Sequence, residues 1–388
     1  MSRILFDLSA TQPVGNTKFH GGGIYGITLF KKMVSIESRA LAVWYDDRKY
    51  IDEESVELIK EHNIPTYFSK NIDMYEAARK ESKVIYTPIF NTTYRKFPPP
   101  DISLIVTVHG LRDLEMPSDT YSKYIVNNQS GIFGHLKTIY RNLSHSNDHV
   151  RQRREEFFQL NNVRFITVSS HSKYAIHSFF PFVKVENIKV FYSPSTINRK
   201  IVLNNNSYQN PFGKYYLLVS ANRWLKNGIR AMQAFDEIFS SDKDFEGQVV
   251  VTGLKNWNEV SYPIKNKHRF VLLGYVDELT LKGLFHYAQF LCYPSLNEGF
   301  GYPPLEAMFE GCPVIASAIT SIPEICGDAV LYFNPYSVSE IKTRINQMSN
   351  MEYRKLYIER GRIRQREIEK RQAEDLEKLA LELIKCCE

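Results

Sequence analysis

The sequence predicts an α/β protein of two domains, each built on a parallel β-sheet covered by helices on both faces. Its 388 residues, 43% hydrophobic and 24% charged, are sufficient for two soluble domains of ordinary size. Short apolar runs alternate with helix-like segments, which is typical of parallel sheets. Residues 194–214 contain three consecutive asparagines and few apolar side chains, as linkers do. We therefore expect a first domain over 1–195 and a second over 196–364.

The first half alternates between the two kinds of segment. Strands are expected at 4–8, 40–44, 66–68, 84–86, 102–108, 165–168 and 188–192, with helices at 53–62 and 74–81. The run at 102–108 is the most β-branched, which indicates a central buried strand. It ends at His109, and parallel sheets bind ligands beyond the carboxyl ends of their strands. On the residues alone, His109 is equally a ligand-facing or an ordinary structural histidine.

A glycine-rich stretch lies between the first two predicted strands. Gly21, Gly23 and Gly26 satisfy the G-x-G-x-x-G pattern of dinucleotide-binding folds. In those folds the glycines follow the first strand directly, whereas about a dozen polar residues intervene here. The spacing therefore argues against a dinucleotide site and predicts a glycine-rich loop.

The second half begins with a predicted strand at 215–220, followed closely by Arg223, Lys226 and Asn227. Arginine offers a planar fork and lysine a compact charge, so this pair suits a pyrophosphate. Further strands are expected at 249–253 and 270–275. Asp242 and Asp244 match a D-x-D metal-binding pattern, but their polar surroundings at a helix end predict a solvated turn.

The most informative stretch is 289–317, QFLCYPSLNEGFGYPPLEAMFEGCPVIAS. It predicts a short buried strand, a loop through Gly299 and Gly301, a helix opened by two prolines, and a second strand. A helix N-terminus attracts phosphates and hydroxyl groups, and the glycines permit close approach to its backbone. Glu298 and Glu306 bracket this site. Either glutamate alone reads as a surface residue or a complement to the helix dipole, but their joint placement favours a functional site. Neither is assigned a core role.

Glu298 to Glu306, within EGFGYPPLEAM and GCPVIAS, resembles the E-x7-E signature of the retaining glycosyltransferases of family 4, which have the GT-B fold. The resemblance implies two Rossmann-like domains facing across a cleft, with the final helix, 365–388, packing back on the first. It implies catalytic roles for Glu298 and His109, although Gly110 stands where the family often has aspartate. It places Gly22 and Gly23 near a phosphate or the acceptor. The donor nucleotide sugar is expected to contact Arg223, Lys226, Asn227, Gly274, Tyr275, Val276, Gly299, Phe300, Gly301 and Glu306.

The implied activity is transfer of a hexose from a UDP-, GDP- or dTDP-sugar. The expected acceptor is a glycan or a polyprenyl-diphosphate-linked glycan of bacterial surface polysaccharide, such as O-antigen or capsule. No metal or other cofactor is expected. Two alternatives remain: a sugar-nucleotide epimerase or NAD-dependent oxidoreductase, and an inactive sugar-nucleotide-binding protein. An inactive protein would be expected to lose Glu298, His109 or Lys226, and all three are present.

Composition limits the partners and the compartment. A net charge of +6 permits nucleotide phosphates or an anionic membrane, and no nucleic-acid-binding motif is evident. Arg151, Arg153 and Arg154 form a basic segment, which is either a solvated helix face or a membrane-facing surface. Five cysteines without C-x-x-C spacing indicate a reducing compartment and no structural zinc. With no apolar stretch long enough for a bilayer and no apparent signal peptide, we expect a cytoplasmic protein, or one peripheral at the inner membrane face.

Overall fold

The computed structural model describes residues 3–13, 21–90, 97–117, 119–125, 148–203 and 208–386. The chain divides into two compact units. Unit 1 comprises Met1–Leu114, Asn147–Ser195 and Glu369–Glu388, and unit 2 comprises Glu115–Ser146 and Thr196–Ile368. The segment that begins at Glu115 thus groups with unit 2, whereas the sequence analysis had assigned all of 1–195 to the first domain.

Unit 1 is built on a seven-stranded, all-parallel sheet of order β3-β2-β1-β4-β5-β6-β7. Its strands are β1 (Ile4–Asp7), β2 (Leu41–Tyr45), β3 (Thr66–Phe68), β4 (Val84–Thr87), β5 (Ser103–Val108), β6 (Val163–Thr167) and β7 (Ile188–Val190). The β-branched strand β5 pairs with β4 and β6 and is buried almost throughout, so its predicted central position is confirmed.

The helices of unit 1 are α1 (Gly21–Glu37), α2 (Glu53–Glu61), α3 (Met74–Arg79), α4 (Arg112–Glu115, the last residue in unit 2), α5 (Asp148–Phe158) and α6 (Ser170–Phe179). The predicted glycine loop is wrong in one respect, because Gly22 and Gly23 lie in the first turn of α1. Gly26 lies one turn further on, and a Cβ there would sit 2.7 Å from Thr11 Cγ2 and 2.8 Å from Pro88 Cγ. Close packing of α1 therefore explains this last glycine of the G-x-G-x-x-G pattern.

Unit 2 is built on a six-stranded, all-parallel sheet of order β10-β9-β8-β11-β12-β13. Its strands are β8 (Tyr215–Leu218), β9 (Gln248–Thr252), β10 (Phe270–Gly274), β11 (Leu291–Tyr293), β12 (Val314–Ser317) and β13 (Val330–Phe333). Its helices are α7 (Gly228–Ser241), α8 (Glu278–Tyr287), α9 (Tyr302–Phe309), α10 (Ile322–Cys326) and α11 (Val338–Ser349). The strand, loop, helix and strand predicted at 289–317 are confirmed as β11, α9 and β12.

The final helix, α12 (Met351–Lys385), begins in unit 2 and ends in unit 1. Its residues from Glu369 onward pack on unit 1. Gln372 Nε2 donates to the Ser193 carbonyl, and Asp375 Oδ2 accepts from the Tyr192 backbone N–H at 2.9 Å. Leu379, Ala380 and Leu383 are buried, which confirms the apolar stripe expected at helical spacing.

The basic segment of α5 is divided between the interior and the surface. Arg151 and Arg153 are exposed, whereas Arg154 is buried and paired with Asp113 of the same unit. The guanidinium of Arg154 also lies over the ring of Phe90. Within the described ranges, no helix combines the length and apolar character needed to cross a membrane.

Candidate functional site

The sheet order of unit 2 creates a gap between two loops. The chain runs outward in one direction from β8 to β10 and in the other from β11 to β13, so the loops after β8 and β11 diverge. The place where the strand order reverses in this way is called a switch point. Open parallel sheets bind ligands there, beyond the carboxyl ends of the strands. Lys226 follows β8 and Glu298 follows β11. The topology thus brings together two predicted site residues that are 72 positions apart.

Lys226 and Glu298 form a buried ion pair at this switch point. Lys226 Nζ lies 2.5 Å from Glu298 Oε1, and the two side chains are 11% and 12% exposed. The same carboxylate oxygen accepts hydrogen bonds from Tyr293 Oη at 2.7 Å and Ser295 Oγ at 2.5 Å. Lys226 also donates to Tyr293 Oη at 3.0 Å. Four side chains, one from the turn after β8 and three from the end of β11 and the loop after it, therefore form one polar cluster.

The charge of Glu298 follows from this cluster. Burial by itself raises the pKa of a carboxyl group, because it disfavours the charged form. Here the Lys226 ammonium and the hydrogen bonds from Lys226, Ser295 and Tyr293 outweigh burial and lower the pKa of Glu298 to about 2. Glu298 is therefore an anion at neutral pH. It can accept hydrogen bonds or stabilise positive charge, but it cannot serve as a proton donor.

The loop that carries Glu298 is held from the far side by the turn after β12. Thr320 Oγ1 accepts from the Glu298 backbone N–H at 3.1 Å. Ser321 Oγ lies 2.9 Å from the carbonyl oxygens of both Glu298 and Phe300. Phe300 is buried, and Gly301 has φ +102°, a backbone conformation that side chains with a Cβ rarely adopt. Gly299 lies between them and is partly exposed. The loop is thus a fixed platform.

Helix α9 follows this platform directly, with Gly301 as its N-cap. Its second and third residues, Pro303 and Pro304, have no N–H group. Backbone donors for an anion at this end must therefore come from Tyr302 and the preceding residues 299–301. The helix dipole still adds partial positive charge here.

Glu306 lies in the second half of the same helix and has a different environment. Its Oε1 accepts a hydrogen bond from Thr196 Oγ1 at 2.6 Å. Burial raises the pKa of this carboxyl group above its usual value, and the Thr196 hydrogen bond and the charge of Lys226 only partly oppose the effect. A cavity of about 70 Å³ beside it is lined in part by Thr196, Leu281 and Phe309. The two glutamates of the motif are thus in opposite electrostatic settings.

The other predicted phosphate-binding residues lie around the turn after β8. Arg223 is exposed, and its side chain has no hydrogen bond or ion pair with any residue that the structure describes. Asn227 is buried with φ +54°, and its amide contacts Pro335 O at 2.7 Å and the Arg230 guanidinium at 3.0 Å. Arg223 is therefore available to a ligand, whereas the Asn227 side chain has a structural role.

Gly274, Tyr275 and Val276 lie at the carboxyl end of β10. Gly274 has φ +67°, and its backbone exchanges hydrogen bonds with the neighbouring Gly253–Leu254 segment. The Tyr275 side chain is 84% exposed and Val276 is partly buried. A planar aromatic surface is therefore presented at the same edge of the sheet as Lys226.

In unit 1, His109 follows β5 and is held in a fixed orientation. Its Nε2 lies 2.8 Å from the Pro88 carbonyl oxygen, so this nitrogen carries the proton. The ring of Tyr25 packs edge-to-face against it at 4.9 Å. Tyr25 belongs to α1, whose first turn contains Gly22 and Gly23. His109 and the two glycines are thus linked through one helix of unit 1.

Several residues of the cluster escaped the sequence analysis. Tyr293 and Ser295 precede Glu298 by five and three residues, and a tyrosine at the end of a buried strand is a weak signal for a polar site. Thr320 and Ser321 could not be found, because only the pairing of β11 with β12 brings them to the loop. The D-x-D pair, Asp242 and Asp244, is an exposed turn as predicted. Across the described ranges, no three His, Cys, Asp or Glu side chains are grouped as metal ligands.

Residues 206–364 match the model of the family described as "Glycosyl transferases group 1". The O-antigen chain mannosyltransferase B of Escherichia coli is 31% identical over 160 residues, which is 40% of this chain and 42% of that protein. The O-antigen chain mannosyltransferase RfbU of Salmonella typhimurium is 30% identical over 157 residues, 39% and 42% of the two chains. The matched part is thus less than half the length of these relatives.

Solved structures resemble the whole chain. The sucrose-phosphate synthase of Thermosynechococcus elongatus superposes with a TM-score of 0.63 at 14% identity, covering 98% of both chains. WaaG, a glycosyltransferase of lipopolysaccharide biosynthesis, gives 0.60 at 13% identity over 99% of both. HepE of Anabaena, solved in complex with UDP, gives 0.57 at 13% identity over 100% of both. At this identity the likeness concerns the fold, which is GT-B, as predicted.

Proposed function

We propose that this chain, whose residues 206–364 match the family of group 1 glycosyltransferases, transfers a hexose from a nucleoside diphosphate sugar to a glycan or lipid-linked glycan, with retention of anomeric configuration. The observation that supports this best is the Lys226–Glu298 pair at the switch point of unit 2. One group is a cation suited to a diphosphate and the other is a carboxylate kept ionised. The diphosphate, which gains negative charge, would thereby meet a cation, and the sugar, which gains positive charge, would meet an anion.

In the proposed reaction, the bond between the anomeric carbon and the diphosphate oxygen breaks, and its electron pair leaves with the diphosphate. Lys226 and the exposed Arg223 stabilise the negative charge that develops there, assisted by the positive end of α9. The acceptor hydroxyl oxygen bonds to the anomeric carbon, and its proton passes to the departing diphosphate. Glu298, next to Gly299, orients the sugar hydroxyls and stabilises the positive charge on the sugar ring. His109 of unit 1 is assigned a catalytic role as well.

Nucleotide recognition is assigned to the other predicted site residues of unit 2. Glu306 accepts hydrogen bonds from the ribose hydroxyls, which replace the Thr196 hydroxyl seen on its carboxylate. The backbone around Gly274 and Val276, with the exposed ring of Tyr275, receives the base. The cavity beside Glu306, about 70 Å³, is far smaller than the roughly 300–1,000 Å³ of ordinary ligand sites, so residues 196–198 must shift when the donor binds.

The acceptor is proposed from the relatives. Two O-antigen mannosyltransferases are similar to this chain, so mannose is the first hexose to test and a polyprenyl-diphosphate-linked glycan of surface polysaccharide the first acceptor. Such an acceptor requires contact with a membrane surface. The exposed Arg151 and Arg153 could provide this contact, whereas the buried Arg154 could not.

The proposal is tested with a panel of UDP-, GDP- and dTDP-hexoses, first by thermal shift and then by NMR of the product formed on a polyprenyl-diphosphate glycan. We expect one donor to raise the melting temperature and to yield a glycoside with the anomeric configuration of the donor. An inverted product would refute the retaining mechanism. NAD-linked oxidation of a sugar nucleotide without glycoside formation would establish the oxidoreductase alternative instead.

A further inference from the structure

A short segment that lies in the sequence between the first two parts of unit 1 packs against the rest of unit 2. We call it the inserted segment; it covers residues 115–125, of which 115–117 and 119–125 are described. The Tyr124 carbonyl accepts from the Ser261 backbone N–H at 3.0 Å, and Ile125 forms an antiparallel bridge with Val260. The rings of Tyr121 and Tyr124 pack against Tyr262. Backbone and side chains therefore both fix it in place.

A buried ion pair anchors this segment. Arg230 of α7 donates from Nη2 to Asp119 Oδ1 at 2.7 Å and from Nη1 to Asp119 Oδ2 at 3.0 Å. The Asp119 side chain is 3% exposed and that of Arg230 is 7% exposed. The guanidinium lies 3.7 Å above the ring of Tyr121. This two-pronged geometry fixes both the position and the direction of the arginine.

Arg230 connects the inserted segment to the turn that holds Lys226, because it is bonded to both. Its Nη1 also donates to Asn227 Oδ1 at 3.0 Å. Asn227 follows Lys226 in the chain and has a left-handed backbone, and its N–H closes the turn by donating to the Trp224 carbonyl. An apolar pair in place of Asp119 and Arg230 could fill the same space, but it could not hold the Asn227 amide.

The inserted segment also reaches the second loop of the site. Asn297 Nδ2 donates to Glu115 Oε2 at 3.3 Å, and Asn297 is the buried residue immediately before Glu298. Leu225, beside Lys226, is bonded through its carbonyl to the Leu296 N–H and to Ser295 Oγ. Both loops that supply the Lys226–Glu298 pair are thus tied to a segment from elsewhere in the sequence.

We propose that Asp119 is a positioning residue for the site, which acts through Arg230 and Asn227 to hold Lys226 against Glu298 and ready for a diphosphate. The role of Lys226 in binding a diphosphate rests on the proposed function, whereas the effect of Asp119 on the position of Lys226 does not. Displacements of about 1 Å in such groups cost roughly a hundredfold in rate, so a positioning residue has a measurable effect without touching the ligand.

The first experiment needs no nucleotide. Lysines of the intact protein are acylated slowly at neutral pH, and the rate at each lysine is read by peptide mass spectrometry. Asp119→Asn should accelerate modification of Lys226 about tenfold, because the turn loses its tether. Lys282, whose side chain is 15% exposed and paired with Glu310 in the same unit, is the internal reference. Equal acceleration at Lys226 and Lys282 would show general loosening of unit 2 and would overturn the proposal.

The second experiment separates the diphosphate from the rest of the nucleotide. UDP, GDP, dTDP and the matching nucleosides are titrated calorimetrically into wild type and Asp119→Asn. We expect the variant to bind its nucleoside diphosphate about tenfold more weakly and the nucleoside equally well, because in the proposed complex Lys226 contacts the phosphates and not the nucleoside. Equal diphosphate affinity in both proteins contradicts the inference. If wild type binds no nucleotide, the proposed function fails, and the acylation rates alone decide the role of Asp119.

Two further variants test whether faster acylation of Lys226 comes from the lost tether or from general destabilisation of the fold. Arg230→Lys keeps a positive charge opposite Asp119, but the shorter lysine side chain does not reach the position of Nη1, which contacts both Asp119 and Asn227, and it loses the two-pronged bond to the carboxylate. Faster acylation of Lys226 is therefore expected in a protein that folds. Tyr121→Phe removes only the hydrogen bond from the inserted segment to Gln233, and should leave the Lys226 rate unchanged. A wild-type rate in Arg230→Lys, or the same increase in Tyr121→Phe, would count against the tether.

Discussion

Glu298 shows how a carboxylate can be buried and still remain charged. Its cation comes from the turn after β8, and two of its hydrogen-bond donors come from the end of β11 and the loop after it. The charge of Glu298 therefore depends on the adjacency of these two strands in the sheet. Glu306, eight residues further along the chain, lacks a cation at contact distance among the described residues and has a raised pKa. The same residue type therefore contributes to stability with opposite signs at the two positions.

The first prediction concerns stability against pH. Because the folded-state pKa of Glu298 is about 2 and the usual value is 4.5, its stabilisation is complete above pH 4.5 and is lost as the pH falls towards 2. The shift corresponds to on the order of 3 kcal/mol. Glu298→Gln should lower the melting temperature at pH 7 and flatten its decline between pH 4.5 and 3. The check is thermal unfolding at pH 7, 5 and 3.

Glu306→Gln is the matched control for this measurement. A raised folded-state pKa means that the contribution of Glu306 to stability is lost as the pH rises through that pKa. The amide should therefore melt at a higher temperature than wild type at pH 7. Equal decreases for both variants at every pH would show that the charge environments described above are incorrect. From the sequence alone, neither substitution would be expected to change stability.

The second prediction separates the two glutamates by kinetics. Ribose contacts are similar in the ground and transition states, so Glu306→Ala should raise the donor KM. A charged hydrogen bond contributes about 1.5–3 kcal/mol, which corresponds to roughly ten- to a hundredfold. Glu298→Ala should chiefly lower kcat, because its interaction strengthens as the sugar becomes cationic. Steady-state kinetics at saturating acceptor and at a temperature well below melting provide the test; reversed effects would exchange the two roles.

At the scale of elements, the sequence was most informative where a pattern is local. The β-branched run that became β5 and the strand–loop–helix–strand stretch from β11 to β12 were placed to within a residue or two, because burial on both faces demands continuous apolar residues. Gly22 and Gly23 were expected in a loop, because glycine is a poor helix former, but α1 begins there and is stabilised by packing rather than propensity. Local propensity was overridden by tertiary contact.

What the sequence could not show depends on contacts between distant segments. The Lys226–Glu298 pair requires knowledge of strand order, because only the adjacency of β8 and β11 brings its members together. The packing of the inserted segment against the rest of unit 2 is even harder to predict from the sequence. The sequence predicts that residues 118–158 form a polar, partly helical region, and nothing in them indicates that Asp119 is buried against an arginine 111 positions away.

The third prediction tests the packing of α1. Alanine at Gly26 should favour the helix by up to about 1 kcal/mol, but its Cβ would lie within 3 Å of Thr11 Cγ2 and of Pro88. Overpacking of this kind costs about 1–3 kcal/mol, so Gly26→Ala should destabilise unit 1. Thr11→Ser removes the clashing methyl and keeps the hydroxyl that donates to the Leu8 carbonyl. Denaturant unfolding should show partial rescue in the double variant; a more stable Gly26→Ala protein would exclude the clash.

At the scale of the whole molecule, the proposed reaction takes the charge that stabilises the leaving group from the chain itself. Arg223 and Lys226 offer two cations in the turn after β8, and no group of metal-ligating side chains occurs among the described residues. Our fourth prediction is therefore that turnover is independent of divalent metal. Initial rates before and after exhaustive treatment with EDTA should agree. A loss of activity that manganese restores would show that these cations do not suffice.

The order in which the chain is synthesised has a consequence for Asp119. The aspartate leaves the ribosome 111 residues before Arg230. At ordinary rates of about 5–20 residues per second, it waits roughly 5–20 s for its partner. Residues Thr196–Ile368 of unit 2 appear only after most of unit 1 has been made, so a nascent chain carries the inserted segment undocked while the earlier sheet forms. A truncated product that ends before Arg230 would expose Tyr121 and Tyr124 together, a feature by which quality-control proteases could distinguish it from the finished chain.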